Sequence, residues 1–224
     1  MKTKLLIVLS IILMVSSCKK DAALVSGYYE INDGVIVSSG DEFLFDFEDY
    51  SLEGWKNIDA DKDGYVWGLA SEVMAEDPEG YNNSRDYVTS QSYTNSNGGI
   101  VLYPDNYLVS ERKYAIGGLS KLQFWACAQD KEWPKEHFGV AISTSDNPNP
   151  NNLTMVAEWT LEAKSGGVGE KSHERGDSRS AGDWYKFTVD LKEYAGEEVY
   201  IALRHFNCHD QYMLNVDNIE LINK

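Results

Sequence analysis

From residue 41 onward the chain is built of short runs in which apolar and polar residues alternate, the pattern that sends successive side chains to opposite faces of a strand. In VYIALRHF, Val199, Ile201, Leu203 and His205 share one face, and Tyr200, Ala202, Arg204 and Phe206 the other. The same reading predicts strands at FLFDFED (43–49), KLQFWACAQ (121–129), FGVAISTS (138–145) and MVAEWTLE (155–162). It continues with WYKFTVDL (184–191), VYIALRHFN (199–207) and YMLNVDNIELI (212–222). Gly, Asn, Asp and Pro separate these runs, and no long stretch after residue 17 has helical period. Many short strands between turn signals predict an antiparallel all-β sandwich or barrel. The 14 Tyr and 6 Trp supply inward residues for such a core.

The first residues have a different texture. Lys2 and Lys4 precede the uncharged run LLIVLSIILMV (5–15), and Ser16 and Ser17 lead directly to Cys18. A basic end followed by an apolar run and small residues is the order of an export signal. The run is shorter than the roughly 20 residues that span a bilayer. VSSC resembles a bacterial lipobox with Val in its first position, which implies cleavage before Cys18 and lipidation of its thiol. Residues 1–17 are thus expected to be a signal peptide, 18–40 a lipid-anchored tether with one short strand, and 41–224 the folded domain. Lys19-Lys20-Asp21 loosely resembles the surface-export signals of Bacteroidetes-type lipoproteins, so the expected location is the outer membrane, facing outward.

Charge then narrows the function. The formal net charge is −16 and becomes −18 once Lys2 and Lys4 leave with the leader. Nucleic-acid binding rests on basic residues neutralising phosphates, so this balance argues against it. It argues equally against anionic lipid head groups as a docking surface. Such acidity either keeps a chain soluble by self-repulsion or gathers carboxylates around hard cations such as calcium.

Two acidic patterns invite the second reading. DADKDG (59–64) places Asp59, Asp61 and Asp63 at alternate positions before a Gly, so a curled backbone brings their carboxylates together. This opens like an EF-hand loop, yet the twelfth position, where that loop needs Glu, is Ala70. A solvated acidic turn is the alternative. Near the start, FDFED offers Asp46, Glu48 and Asp49; near the end, NVDN offers Asn215, Asp217 and Asn218. Should the first and last strands lie side by side, these groups meet; if not, they are acids facing solvent.

Catalytic patterns are missing from the sequence: no G-x-S-x-G elbow, no H-E-x-x-H, no P-loop and no C-x-x-C. His205 and His209 flank Cys208, which raises metal or nucleophile chemistry, although an alternating strand favours a packed, hydrogen-bonded His205. An exported location permits a disulfide between Cys127 and Cys208, with two buried thiols as the alternative. Long loops at 77–86, 145–152 and 164–183 are of a length often given to function. The last carries Arg175-Gly176-Asp177, which arises readily by chance. Trp133 in KEWPKEH, and Tyr81, are the candidate platforms for a ligand.

Several segments in order resemble one family: WKNIDADKDGYVW (55–67), GGIVLYPDNYLVS (98–110), LQFWACAQDKEWPKEHFGVAIST (122–144), DWYKFTVDL (183–191) and IALRHFNCHDQYMLNVDNIEL (201–221). They are similar to the cleaved adhesin domain of the gingipain hemagglutinin/adhesin regions. The resemblance spans roughly 41–221 and implies a jelly-roll antiparallel β-sandwich, structural calcium, and adhesion without catalysis. It implies calcium positions at Glu48 and Asp217, with Asp46 beside them, then at Asp59, Asp61 and Asp63. Asp105, Asn106 and Asp130 fall in matching segments. The implied partner is a host or extracellular-matrix protein or glycan; a carbohydrate-binding lipoprotein of a glycan-utilisation system is the alternative.

Overall fold

A computed structural model describes residues 29–32, 35–38, 40–74, 79–162, 172–173 and 182–223. Cys18, the leader and Arg175-Gly176-Asp177 lie outside the described residues. In chain order the strands are β1 (Tyr29–Asn32), β2 (Val35–Ser38), β3 (Phe43–Phe45), β4 (Trp55–Asp59), β5 (Gly68–Leu69), β6 (Val88–Gln91), β7 (Tyr93–Thr94) and β8 (Ile100–Val101). They continue with β9 (Asn106–Ser110), β10 (Tyr114–Ala115), β11 (Ser120–Ala128), β12 (His137–Ser143) and β13 (Thr154–Thr160). The last four are β14 (Ser172–His173), β15 (Trp184–Asp190), β16 (Glu198–His205) and β17 (Met213–Asn223). The α-helix at Ala70–Val73 is a single turn.

Two antiparallel sheets form the sandwich. One runs β13-β12-β16-β9-β4, with β10 also on β16; the other runs β14-β15-β11-β17-β6-β5, with β3 also on β17. β1 and β2 make a separate hairpin, where the sequence predicted one strand in the tether. The alternating residues do what their pattern predicts. Val199, Ile201 and Leu203 of β16 face Leu122, Phe124 and Ala126 of β11 across one core, with Phe138, Phe187 and Trp159 filling the middle. Burying a side chain of this size is worth about 1.5–3 kcal/mol, so this layer supplies the main drive to fold. The outer faces are partly covered as well: Ala202 joins Tyr107 and Val109, and Cys127 joins Tyr87 and Trp184.

The first and last strands of the sandwich do lie side by side, with Phe45 opposite Ile219 and Phe43 opposite Leu221. FLFDFED is strand only as far as Phe45. Phe47 and Tyr50 then take φ of 55° and 56°, so the chain turns off the sheet before Glu48. β17 is irregular at the matching place. Between the pairs Gln123–Glu220 and Trp125–Asp217 it spends three steps against two on β11, and Asn218 takes φ of 48°. That extra residue is a β-bulge, which re-aims the side chains beside it. The bulge falls where β17 exchanges one neighbour for another, β6 along Met213–Val216 and β3 along Ile219–Leu221.

Candidate functional site

Asp217 occupies the seam left by that exchange and is fully buried. Its Oδ1 accepts the Asn218 amide at 2.7 Å and its Oδ2 the Tyr81 amide at 2.9 Å. Burial pushes its pKa up to about 7 against these hydrogen bonds and one from Ser84, with the charge of Glu48 adding a smaller rise. Glu48 is held by Arg85, whose amide reaches Oε1 and whose Nε reaches Oε2, each at 2.8 Å. The Arg85 side chain and then its amide keep the Glu48 carboxyl below its ordinary range. The structure thus brings Glu48 and Asp217 to the same segment, 80–85. Asp46 accepts the Glu48 amide at 3.3 Å and lines a surface groove with Asp49. Arg85 and Ser84 were not anticipated, because a loop crossing a strand seam leaves no periodic trace in the sequence.

The second acidic group is the loop after β4. Asp59 accepts the Lys62 amide at 2.7 Å and the Gly64 amide at 3.0 Å, and positive φ at both Lys62 and Gly64 closes the turn. Asp61 accepts the amides of Asp63 at 3.2 Å and Asp105 at 2.6 Å. Asp105 in turn receives Arg204 Nε at 2.7 Å, so the loop is tied to the end of β16. One carboxylate oxygen from each of Asp59, Asp61 and Asp63 lies within 4.8 Å of the others. Burial, then the hydrogen bond with Asp59, raises the Asp61 pKa. Burial would raise Asp59 too, but hydrogen bonds from Asp61 and the Gly64 and Lys62 amides outweigh it and hold Asp59 low. An all-oxygen set of this kind suits a hard cation. Asp130 is brought to neither acidic group; it caps its own turn by accepting the Glu132 amide at 2.8 Å.

The acidic loop leaves the sandwich at the same end as four other connections. Asp59 pairs with Asn106, Asn106 with His205, His205 with Phe138, and His137 with Thr160. With Gln91 paired to Met213, the loops 60–67, 129–136 and 206–212 and the hairpin of β7 and β8 share this end with residues 161–162, which leave β13 there. Here Trp133 is 53% exposed, and Tyr103, 66% exposed, stacks on His209 with ring centroids 4.9 Å apart. Tyr93, Asn95, Asp130, Trp133, Gln211 and Tyr212 line an open cavity of about 320 Å³. Asn207, Asp210 and Tyr212 all have positive φ, a concentration of strain typical of binding loops. Tyr81, the other candidate platform, is half-buried and stacks on Trp125 with ring centroids 3.8 Å apart.

Below the cavity lies a buried polar network. His205 Nδ1 meets Ser90 Oγ at 2.8 Å, and its Nε2 meets Glu136 Oε2 at 2.9 Å. Ser92 Oγ donates to Glu136 Oε1 at 2.9 Å and accepts the Gln211 and Tyr212 amides at 3.2 and 3.1 Å. Cys208 Sγ lies 3.4 Å from Glu136 Oε2 and 3.1 Å from His205 Nε2. Burial, reinforced by Glu136, pushes the Cys208 thiol far above its ordinary range. Cys208 is a free thiol, so the disulfide with Cys127 that export permits is not formed. Cys127 Sγ instead accepts from Asn215 Nδ2 at 3.6 Å. Glu136 escaped the sequence reading because an acid at the head of a strand ordinarily faces water.

A sandwich whose ends are joined at an acidic seam, and whose loops gather aromatic side chains at one end, has the build of a binding module. Residues 45–221 match the Cleaved Adhesin Domain family, and the protein belongs to it. It is 39% identical over 178 residues to Gingipain R1 of Porphyromonas gingivalis, covering 78% of this chain and 10% of that protein. Hemagglutinin A of the same organism is 38% identical over 174 residues, which is 78% of this chain and 6% of the relative. The chain thus spans about a tenth or less of the length of these relatives. Among solved structures, the K1 cleaved adhesin domain of Lys-gingipain from P. gingivalis W83 superposes with a TM-score of 0.66 at 33% identity, covering 82% of this chain and 99% of that one. The K3 domain gives 0.63 at 36% identity, with 80% and 97% covered.

Proposed function

We propose that this cleaved adhesin domain is a non-catalytic, calcium-stabilised binding module, held at the cell surface through a lipid on Cys18. The observation that carries the binding role is the open cavity beside Trp133, an indole left 53% exposed at the rigid end of a sandwich. Loops on a fixed scaffold are where binding residues concentrate. The partner is a host or extracellular protein or a glycan. A glycan is favoured by the lining, where Trp133, Tyr93 and Tyr212 give flat apolar faces and Asp130, Asp210, Asn95 and Gln211 give hydroxyl partners. Calcium would be held by Asp217 and Glu48 at the seam, and by Asp59, Asp61 and Asp63 in the loop after β4. In support, Asp217 is a buried carboxyl whose charge is disfavoured unless a cation compensates it.

The test is binding of the mature domain to a glycan array and to immobilised matrix and serum proteins, each repeated with Trp133→Ala. Specific glycan signals lost in the variant support the glycan reading. Protein binding with a silent array supports the protein reading. Silence on both surfaces rejects the proposed role of this end. Protease shaving of intact cells checks the address, because a module that faces inward cannot meet an extracellular partner.

A further inference from the structure

The Glu136, His205 and Cys208 cluster is unexplained by a binding module whose contacts lie at the surface. Three donor atoms of different chemistry form a triangle with edges of 2.9, 3.1 and 3.4 Å: Glu136 Oε2, His205 Nε2 and Cys208 Sγ. A nucleophilic triad would set the thiol on one imidazole nitrogen and the carboxylate on the other. Here both lie on Nε2, and Nδ1 is turned to Ser90. Donors that converge on one point from one side make a poor relay and a good chelate.

We propose that Glu136 Oε2, His205 Nε2 and Cys208 Sγ form a site for one zinc-like divalent transition-metal ion beneath the aromatic end of the sandwich. An ion slightly out of the plane of this triangle reaches all three corners at bond lengths of about 2.0–2.3 Å, the range for zinc with oxygen, nitrogen and sulfur. Binding releases the Cys208 thiol proton to solvent and leaves the remaining imidazole N–H on Nδ1, donated to Ser90 Oγ. No electron is transferred. Two anionic ligands cancel the dication, which is what permits an ion to sit beside Glu136 and His205, both fully buried.

The surroundings already carry the outer hydrogen bonds such a site needs. Ser90 fixes the imidazole tautomer and Ser92 orients the carboxylate through Oε1. Partners of this kind orient metal ligands in zinc sites generally. The thiolate selects against calcium, so this site is distinct in chemistry from the all-oxygen groups above. Cys208, 9% exposed, is the corner through which an ion and a fourth ligand, water, reach the site. Glu136 closes the Trp133 loop and Cys208 begins the loop to Tyr212, so a bound ion would clasp two walls of the cavity.

The experiment titrates the mature chain, kept in millimolar calcium, with cobalt(II) and then zinc(II). The expected result is one equivalent bound, with a thiolate-to-cobalt charge-transfer band in the near ultraviolet that zinc bleaches. Cys208→Ser should abolish the band, and Glu136→Gln should weaken zinc binding at least tenfold while keeping it. Absence of the band in the unmodified chain overturns the proposal, as does zinc affinity unchanged in both variants. Melting curves in calcium check that each variant folds. If Cys208→Ser does not fold, the cobalt spectrum of the unmodified chain together with Glu136→Gln decides.

Discussion

The carboxylate of Asp217 and the backbone amide of Tyr81, 136 residues apart in the chain, meet at 2.9 Å inside the sandwich. The contact exists because the bulge at Asn218 turns Asp217 into the gap between β3 and β6, and the 80–86 loop lies over that gap. One buried acid therefore ties the last strand to a mid-chain loop and, through Arg85 and Glu48, to the segment that follows β3.

The loop can approach so closely because residue 80 has no side chain. A Cβ there would stand 2.6 Å from Ser84 Cβ and 2.9 Å from Asp217 Oδ2. Gly80→Ala should cost about 1–3 kcal/mol, the usual penalty for forcing an atom into a packed site. Urea denaturation of the two proteins measures it, and the calcium response should fall in parallel.

Titration of Asp217 gives a pH dependence of definite sign. Its folded pKa of about 7 lies above the ordinary value of 3.8. The protonated form is thus favoured by folding, and its contribution is complete below about pH 4 and lost as pH rises through about 7. A tenfold difference in proton affinity between the folded and unfolded chain is worth about 1.4 kcal/mol. After removal of divalent ions, this contribution should be lost between about pH 4 and pH 7, and Asp217→Asn should flatten that slope. Saturating calcium, which keeps the carboxylate ionised, should flatten it as well.

Strand positions were legible in the alternation of apolar residues, and β11, β12, β15, β16 and β17 fall within one or two residues of where that pattern puts them. The seam was legible only in part. Glu48 and Asp217 stood out as acids near the joined ends, but nothing in FDFED signals that Phe47 takes a positive φ and ends the strand. The cavity was legible at Trp133 and invisible elsewhere, because Tyr93, Asn95 and Gln211 reach it through pairings between distant segments. A one-residue bulge and a buried acid at a strand head both run against local pattern, and both proved central to a candidate site.

Because Cys208 is a free thiol, reducing agent should leave the melting temperature unchanged. A structural disulfide would contribute about 2–5 kcal/mol, easily visible as a lowered transition on reduction. Scanning calorimetry with and without reductant makes the comparison.

Trp133 contributes a surface and little packing. Trp133→Ala should shift stability by no more than about 0.5 kcal/mol, while weakening the partner found on the arrays at least about tenfold, or 1.4 kcal/mol. Unfolding curves and surface plasmon resonance on one preparation separate the two effects.

Calcium at the seam is tested most directly by melting the mature domain in chelator and in millimolar calcium, alongside Asp217→Ala. At a hundredfold excess over Kd, a bound ion adds about 2.7 kcal/mol to the native state. The unmodified domain should therefore melt several degrees higher in calcium, and the variant should lose most of that shift. Coincident curves for the unmodified domain, with no metal found by elemental analysis, would contradict the calcium-stabilised module.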